Sequence, residues 1–189
     1  MYRWSYIIIN GITWYRVVTA PVLIVLVFLE QIDIFKWLLA ASFFTDLIDG
    51  TLARKFKTTS IFGSRLDSIG DDLTVLAAVT GLFVFKLDFI RDERVIFIFL
   101  LAAFVIQTVI ALIRYGRVTS FHTYLAKAAA ILQGLFFILV FLMKDPVYFL
   151  FYAAAAITFI ELIEEIILVL YLPKWKANVK GIYWVMNKK

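Results

Sequence analysis

Four aspartates at fixed spacing interrupt a chain that is otherwise strongly apolar. Asp46 and Asp49 are three residues apart, and Asp67 and Asp71 are four residues apart. Each spacing places a pair on one face of a helix, and apolar stretches flank the run on both sides. Because a carboxylate at bilayer depth is costly unless something compensates it, intramembrane acids indicate a functional site. Four of them at helical spacing predict a bound cation as the compensation.

The chemistry of that cation follows from the residues that the chain lacks. It contains no cysteine and a single histidine, His122, which excludes thiolate sites and zinc sites built on several imidazoles. Oxygen ligands suit Mg²⁺, Mn²⁺ or Ca²⁺. Four close carboxylates raise each other's pKa unless they are neutralised. One or two divalent cations would do this, and two metals about 3.5–4 Å apart could clamp a diphosphate and activate an attacking oxygen.

Small and basic residues beside the acids predict a ligand. Gly50 and Ala53 leave room for a flat or phosphorylated group, and Arg54 can pair with phosphate. The alternative for the small residues, close helix packing in a membrane, is the weaker interpretation next to four acids. Gly63 as a turn residue and Ser64 as an N-cap would let the two acidic helices run antiparallel, so that their acidic faces meet.

Composition predicts the elements that hold these residues. The 189 residues are 63% hydrophobic and 17% charged, with a mean hydropathy of +0.93, far from soluble globular chains. We expect an all-α integral membrane protein: a single domain over residues 1–189 with an N-terminal interfacial helix over Met1 to Asn10, for which a disordered tail is the alternative. Since a spanning helix needs roughly 20 residues, six transmembrane helices are predicted, at 13–30, 34–55, 67–86, 94–114, 122–143 and 147–171. The first is interpreted as a retained helix, because no small-residue cleavage site follows it.

Loop charges predict the orientation. With the N-terminus, the second and fourth connections and the C-terminal tail on one side, that side holds 14 of the 19 Lys and Arg residues. The positive-inside rule then places both termini and the aspartates at the cytoplasmic boundary. The basic, Trp-bearing tail from Pro173 is expected to meet anionic lipid headgroups, and no nucleic acid is expected as a partner.

The full run resembles the signature of the CDP-alcohol phosphatidyltransferase family. It reads Asp46-x2-Asp49-Gly50-x2-Ala53-Arg54-x8-Gly63-x3-Asp67-x3-Asp71, with every signature position filled. An upstream pattern, Asn10-x2-Thr13-x2-Arg16-x4-Pro21, also resembles the family. Length, six spans and orientation are similar too, so the resemblance covers essentially the whole chain.

The resemblance implies an enzyme of phospholipid biosynthesis that displaces CMP from a CDP-linked lipid, CDP-diacylglycerol above all, by an acceptor alcohol. It implies metal ligation by Asp46, Asp49, Asp67 and Asp71, with Asp71 also the base on the acceptor hydroxyl. It implies CDP binding by Asp49, Gly50, Ala53, Arg54 and Gly63. Two Mg²⁺ or Mn²⁺ ions and a homodimer are further implications.

The acceptor stays open. Serine at position 68, after the third acid, resembles the pattern of phosphatidylserine synthases. Asp72 fits neither that pattern nor the pattern of phosphatidylglycerophosphate synthases. An inositol phosphate is a third alternative for the acceptor. Arg65, Arg114, Arg117 and Lys127 are candidate acceptor-binding residues, because arginines there could bind an acceptor phosphate. Ordinary positive-inside anchoring is the alternative for each. His122 is expected at an interface or a helix start.

Further polar residues fall within the predicted spans. Glu161, Glu164 and Glu165 are expected to form structural ion pairs with Lys127, Arg114 or Arg117, and Gln107 and Gln133 to form interhelical hydrogen bonds. Two rival functions remain. A cation transporter would use the acids as an ion path, although all four lie near one face, and a non-catalytic scaffold would bind metal without turnover.

Overall fold

The structure, a computed structural model, describes residues 15, 17–56 and 61–187, and the side chains of these except 46–56, 61–69, 71 and 72. In this part of the chain the regular structure is entirely helical, which confirms the all-α prediction. The helices are α1 (Val17–Phe28), α2 (Ile32–Phe56), α3 (Ile61–Phe85), α4 (Leu87–Asp92), α5 (Arg94–Tyr115), α6 (Tyr124–Leu142), α7 (Tyr148–Tyr171) and α8 (Ile182–Met186). A helix occupies each of the six predicted spans, whereas the predicted interfacial helix lies outside the described residues.

Two of the described helices, α5 and α6, are long and apolar enough to cross a membrane. Only 11% of the most apolar stretch of α5 is buried inside the protein, and 33% of that of α6. A core helix of a soluble protein would be mostly buried, so these exposed apolar surfaces favour a lipid environment. Two shorter apolar stretches, Val17–Phe28 and Leu73–Phe85, form α1 and the second half of α3. The protein is therefore an integral membrane protein, while crossing by all six helices stays a prediction.

The chain forms two compact units, Met1–Ile90 with Val140–Lys144, and Arg91–Leu139 with Asp145–Lys189. The first unit is organised by a cluster of three aromatic rings. Phe35 at the start of α2 lies 5.4 Å from Phe85 at the end of α3 and 5.0 Å from Phe141, as measured between ring centroids. Since the first turn of α2 meets the last turn of α3, and the two helices are in contact, they run antiparallel.

Gly81 permits this close approach of α2 and α3. A Cβ atom at Gly81 would lie 2.7 Å from Phe35 Cζ and 3.1 Å from Phe141 Cζ, and Phe35 is fully buried. We expect Gly81→Val to destabilise the protein by about 1–3 kcal/mol, because an isopropyl group placed in a filled core forces strained side chains. Thermal unfolding in detergent measures the effect.

The control is Thr80→Val, which introduces the same side chain one position earlier, where the residue is partly exposed and its hydroxyl bonds only to Leu76 O of its own helix. Thr80→Val should unfold near the wild-type temperature. An unchanged unfolding temperature for Gly81→Val would contradict the packing role of this glycine.

The second unit is held by α5 against α7. Its apolar cluster joins Ala111 of α5, Leu168 and Val169 of α7, and the non-helical residues Phe121 and Val179. Two predicted hydrogen bonds between helices are confirmed: Gln107 Nε2 donates to Glu165 Oε2 at 2.7 Å, and Gln133 Nε2 donates to Thr158 Oγ1 at 2.6 Å.

Two segments predicted as connections or tail are instead helical. The predicted connection Leu87–Glu93 contains α4, where Asp88 in the first turn and Arg91 in the last turn complement the helix dipole. The C-terminal tail contains α8. In the fifth predicted span, the helix begins at Tyr124, two residues after the predicted start at residue 122. Thr123 Oγ1 accepts the Ala126 N–H at 3.1 Å and caps the helix there.

Candidate active site

The aspartate run lies on two neighbouring helices. Asp46 and Asp49 lie in the second half of α2, and Asp67 and Asp71 lie in the first half of α3. Both helices are continuous through these positions, so the i, i+3 and i, i+4 spacings are real helical spacings. The side chains of all four aspartates lie outside the described part, and so does any contact among them.

The other signature positions share the same two helices. Gly50, Ala53 and Arg54 lie in α2 beyond Asp49, and Gly63 and Arg65 lie in the first turns of α3. The prediction that Ser64 caps α3 is wrong, because α3 begins at Ile61 and includes both Gly63 and Ser64. The upstream residues Asn10, Thr13 and Arg16 lie outside the described residues.

Buried side chains define one face on the described half of α2. Phe35, Leu39 and Ser42 are fully buried and follow one another at spacings of four and three residues. This alternation is the seam of a helix that packs against partners along its length. Ser42 Oγ donates to Leu38 O at 3.0 Å, so its hydroxyl is satisfied within its own helix. Continued by one further step of four residues, the seam reaches Asp46.

An equivalent face runs along the described half of α3. Gly81, Ala78 and Thr74 are buried at spacings of three and four residues, and Gly70 is buried as well. Thr74 Oγ1 donates to Gly70 O at 2.7 Å. Continued by three residues toward the start of the helix, this seam reaches Asp71.

Ser42 and Thr74 are buried polar residues that sequence reasoning did not single out. Each lies three or four residues from a signature aspartate, and that spacing was the signal that could have found them. Among the residues whose side chains the structure describes, no group of three or more acids and histidines could hold a metal ion. The side chains of the aspartate run lie outside that set.

Three of the predicted acceptor-binding residues, Arg114, Arg117 and Lys127, lie in or beside the loop between α5 and α6, residues 116–123. Arg114 is exposed in the last turn of α5, and its Nε and Nη2 each donate to Leu172 O at 3.4 Å. The guanidinium of Arg117 lies 5.2 Å from the centroid of the Trp175 ring. Lys127 is exposed, with its Nζ 5.3 Å from the centroid of the Tyr124 ring. His122 lies just before α6 with a φ of 53°, as expected for a residue at a helix start.

The predicted ion pairs of Glu164 and Glu165 are wrong. Glu165 Oε2 accepts hydrogen bonds from Gln107 Nε2 at 2.7 Å and Thr119 Oγ1 at 2.7 Å. Glu164 Oε1 accepts the Ile182 N–H at 3.0 Å, while its buried Oε2 has no partner among the described residues. Neutral donors therefore take the place of the expected cations, because the arginines bond instead to the segment that follows α7.

Comparison with known proteins shows which family the chain belongs to. The family model described as CDP-alcohol phosphatidyltransferase matches residues 6–169, most of the chain. The chain belongs to the CDP-alcohol phosphatidyltransferase family. No curated protein and no solved structure matches the chain significantly.

Membership in the CDP-alcohol phosphatidyltransferase family implies the reaction class. The protein is a transferase of phospholipid biosynthesis that moves a phosphatidyl group from a CDP-alcohol to an acceptor alcohol. The match spans α1 to α6 and nearly all of α7, and so contains every position of the aspartate run. It ends at residue 169, before the segment that contacts Arg114 and Arg117.

Proposed function

We propose that this CDP-alcohol phosphatidyltransferase uses CDP-diacylglycerol and a divalent metal, and that the paired helices α2 and α3 carry its active site. The observation that carries the proposal is the register of these two helices. Phe35 of α2 and Gly81 of α3 lie at one level, since a Cβ on the glycine would touch the ring. Seven residues along each helix from that level come Ser42 and Thr74, both buried.

Seven residues farther along each helix come Asp49 and Asp67. At a rise of about 1.5 Å per residue, both lie about 21 Å from the Phe35 level. Asp46 and Asp71 lie 11 and 10 residues from it, so their levels also agree. This register supports a site in which four carboxylates are contributed at matching heights by two antiparallel helices.

The donor set fits a hard divalent cation. Carboxylate oxygens are the ligands that Mg²⁺ and Mn²⁺ prefer, and the seams of α2 and α3 that lead to the aspartates are buried. Asp46, Asp49, Asp67 and Asp71 would hold one or two ions. When bound, they would neutralise the diphosphate of the CDP-lipid and stabilise the charge that develops as CMP leaves.

The remaining steps belong to the chain's own residues. Asp71 accepts the proton of the acceptor hydroxyl as its oxygen attacks the phosphorus that carries the diacylglycerol. The bond between this phosphorus and the CMP oxygen breaks, and CMP leaves with the bonding electrons. Asp49, Gly50, Ala53 and Gly63 leave room for the CDP moiety and contact it, and Arg54 pairs with its phosphate.

We place the site at the cytoplasmic boundary of a six-helix membrane protein with both termini in the cytoplasm, as the distribution of Lys and Arg supports. Arg65, Arg114, Arg117 and Lys127 are the proposed acceptor-binding residues. A homodimer, surrounded by membrane lipids, is the proposed assembly. A phosphorylated alcohol is the preferred acceptor class, because guanidinium groups recognise phosphate.

The decisive experiment measures CMP release from CDP-diacylglycerol by the purified protein in liposomes with Mg²⁺ or Mn²⁺. Acceptors are offered singly: glycerol 3-phosphate, inositol 1-phosphate, serine and inositol. We expect CMP and one new lipid phosphodiester, identified by mass spectrometry. Metal flux across the liposomes without any CMP release would favour a cation transporter instead, and metal binding with no turnover of any acceptor would favour a scaffold.

A further inference from the structure

The segment that follows α7 is held against the loop between α5 and α6. We call residues 172–186 the C-terminal clasp. Three hydrogen bonds join it to this loop and to the start of α6: Trp175 Nε1 donates to Val118 O at 3.1 Å, the Asn178 N–H to Ser120 O at 3.0 Å, and the Tyr124 N–H to Lys180 O at 3.2 Å. The clasp lies beyond the part of the chain that the family model matches.

The far end of the clasp is anchored to α7. Glu164 Oε1 accepts the Ile182 N–H at 3.0 Å, and Glu164 is buried although no cation among the described side chains pairs with it. Gly181, with a φ of 146°, lies directly over this carboxylate, since a Cβ there would be 3.0 Å from Glu164 Oε1. Val179 is buried in the apolar cluster, and Ile182 packs against it. The buried Glu164 carboxylate thus accepts a hydrogen bond from the clasp backbone and holds the clasp in place.

The near end of the clasp contacts both arginines of the loop region. Leu172 O accepts hydrogen bonds from Arg114 and, at 2.8 Å, from the Tyr115 hydroxyl. The Trp175 ring lies under the guanidinium of Arg117, and Trp175 also bonds to the loop backbone. A guanidinium that stacks on an aromatic face keeps its N–H edge for an anion.

The loop depends on neighbouring elements for its order, since Thr119 Oγ1 donates to Glu165 Oε2 of α7 at 2.7 Å and Phe121 is buried in the apolar cluster that also contains Val179 of the clasp. Residues 116–123 form no regular helix, and Gly116 and His122 at its two ends both have positive φ angles. A loop that is ordered before its ligand arrives loses less conformational entropy on binding. If the clasp orders this loop, it therefore raises the affinity of the protein for the ligand that Arg114 and Arg117 bind.

We propose that the C-terminal clasp positions Arg114 and Arg117 for the phosphate of a phosphorylated acceptor, with Glu164 as its anchoring residue. This inference rests on the proposed function. It assigns Glu164 and Trp175 as positioning residues, which act through the arginines and do not touch the substrate.

The test compares Glu164→Met, which removes the acceptor of the Ile182 N–H, with Glu164→Gln, which retains a side-chain oxygen there. Hydrogen–deuterium exchange is measured over residues 116–123 of the full-length protein in nanodiscs, and CMP release is titrated with glycerol 3-phosphate and with inositol 1-phosphate. For Glu164→Met we expect faster exchange of the loop and an acceptor KM raised about tenfold, with kcat and the KM for CDP-diacylglycerol unchanged. Glu164→Gln should behave as wild type in each measurement.

Unchanged exchange in Glu164→Met, or faster exchange with an unchanged acceptor KM, would overturn the inference. If Glu164→Met fails to insert in the membrane, Trp175→Phe carries the same test, because it removes the indole N–H bond to Val118 and keeps a ring under Arg117. CMP release with serine or inositol alone would overturn the clasp's role in phosphate binding and the preference for a phosphorylated acceptor, and would leave the proposed phosphatidyl transfer from CDP-diacylglycerol standing. No CMP release with any of the four acceptors would refute both.

Discussion

Asp71→Asn is expected to lower CMP release by at least about a thousandfold while leaving the protein folded in the membrane. General-base catalysis by a positioned carboxylate contributes about 10²–10⁴ to rate, and an amide cannot accept the proton of the acceptor hydroxyl. The same substitution removes one anionic oxygen from the proposed metal site, which adds to the loss. The measurement is kcat for CMP release at saturating CDP-diacylglycerol and acceptor.

The neighbouring acid supplies the matched control. Asp72 follows Asp71 directly but lies about 100° farther around α3, away from the seam that runs through Thr74, Ala78 and Gly81. Asp72→Asn makes the same chemical change and should retain activity within a few-fold. Equal activity of Asp71→Asn and wild type would refute the proposed mechanism. Equal losses of activity in Asp71→Asn and Asp72→Asn would refute the argument that only the acid on the buried face of α3 takes part in the reaction.

Removal of divalent metal is the second change with a large expected effect. The chelated protein should release no measurable CMP, and Mg²⁺ or Mn²⁺ should restore turnover. The reason is electrostatic: four carboxylates and a diphosphate cannot share a site without compensation, and a bound metal contributes several kcal/mol of charge stabilisation, or about a thousandfold in rate.

A direct binding measurement separates metal ligation from catalysis. Electron paramagnetic resonance of Mn²⁺ should show fewer bound ions or weaker binding in Asp49→Asn/Asp67→Asn than in wild type, with CDP-lipid absent. Asp72→Asn serves again as the control with unchanged binding. Full turnover in the presence of excess chelator would rule out the proposed metal dependence.

Much of the fold was predictable because membrane helices can be identified in a sequence by their length and their apolar composition. All six predicted spans contain a helix, and Gln107 and Gln133 bond between helices as predicted, since an amide in an apolar helix must find a partner nearby. The errors in helix boundaries occur where more than one residue could begin the helix. Ser64 has the composition of an N-cap, yet α3 begins three residues earlier.

Contacts distant in sequence account for the errors about Glu164 and Glu165. Pairing these acids with Arg114, Arg117 or Lys127 was reasonable from charge alone. In the structure the arginines contact Leu172 and Trp175, while the glutamates accept hydrogen bonds from Thr119, Gln107 and a backbone N–H. Charge patterns do not reveal that a later segment returns to cover the same region.

The sequence by itself determined the helical membrane character, the family and the four aspartates, because apolar length and helical spacing are local properties. Tertiary structure alone decided the register between the antiparallel helices α2 and α3, which depends on the fit of Phe35 against Gly81. It also decided how residues 172–186 fold back on the loop between α5 and α6. Both outcomes rest on packing between residues 46 or more positions apart in the chain, and no local pattern encodes such packing.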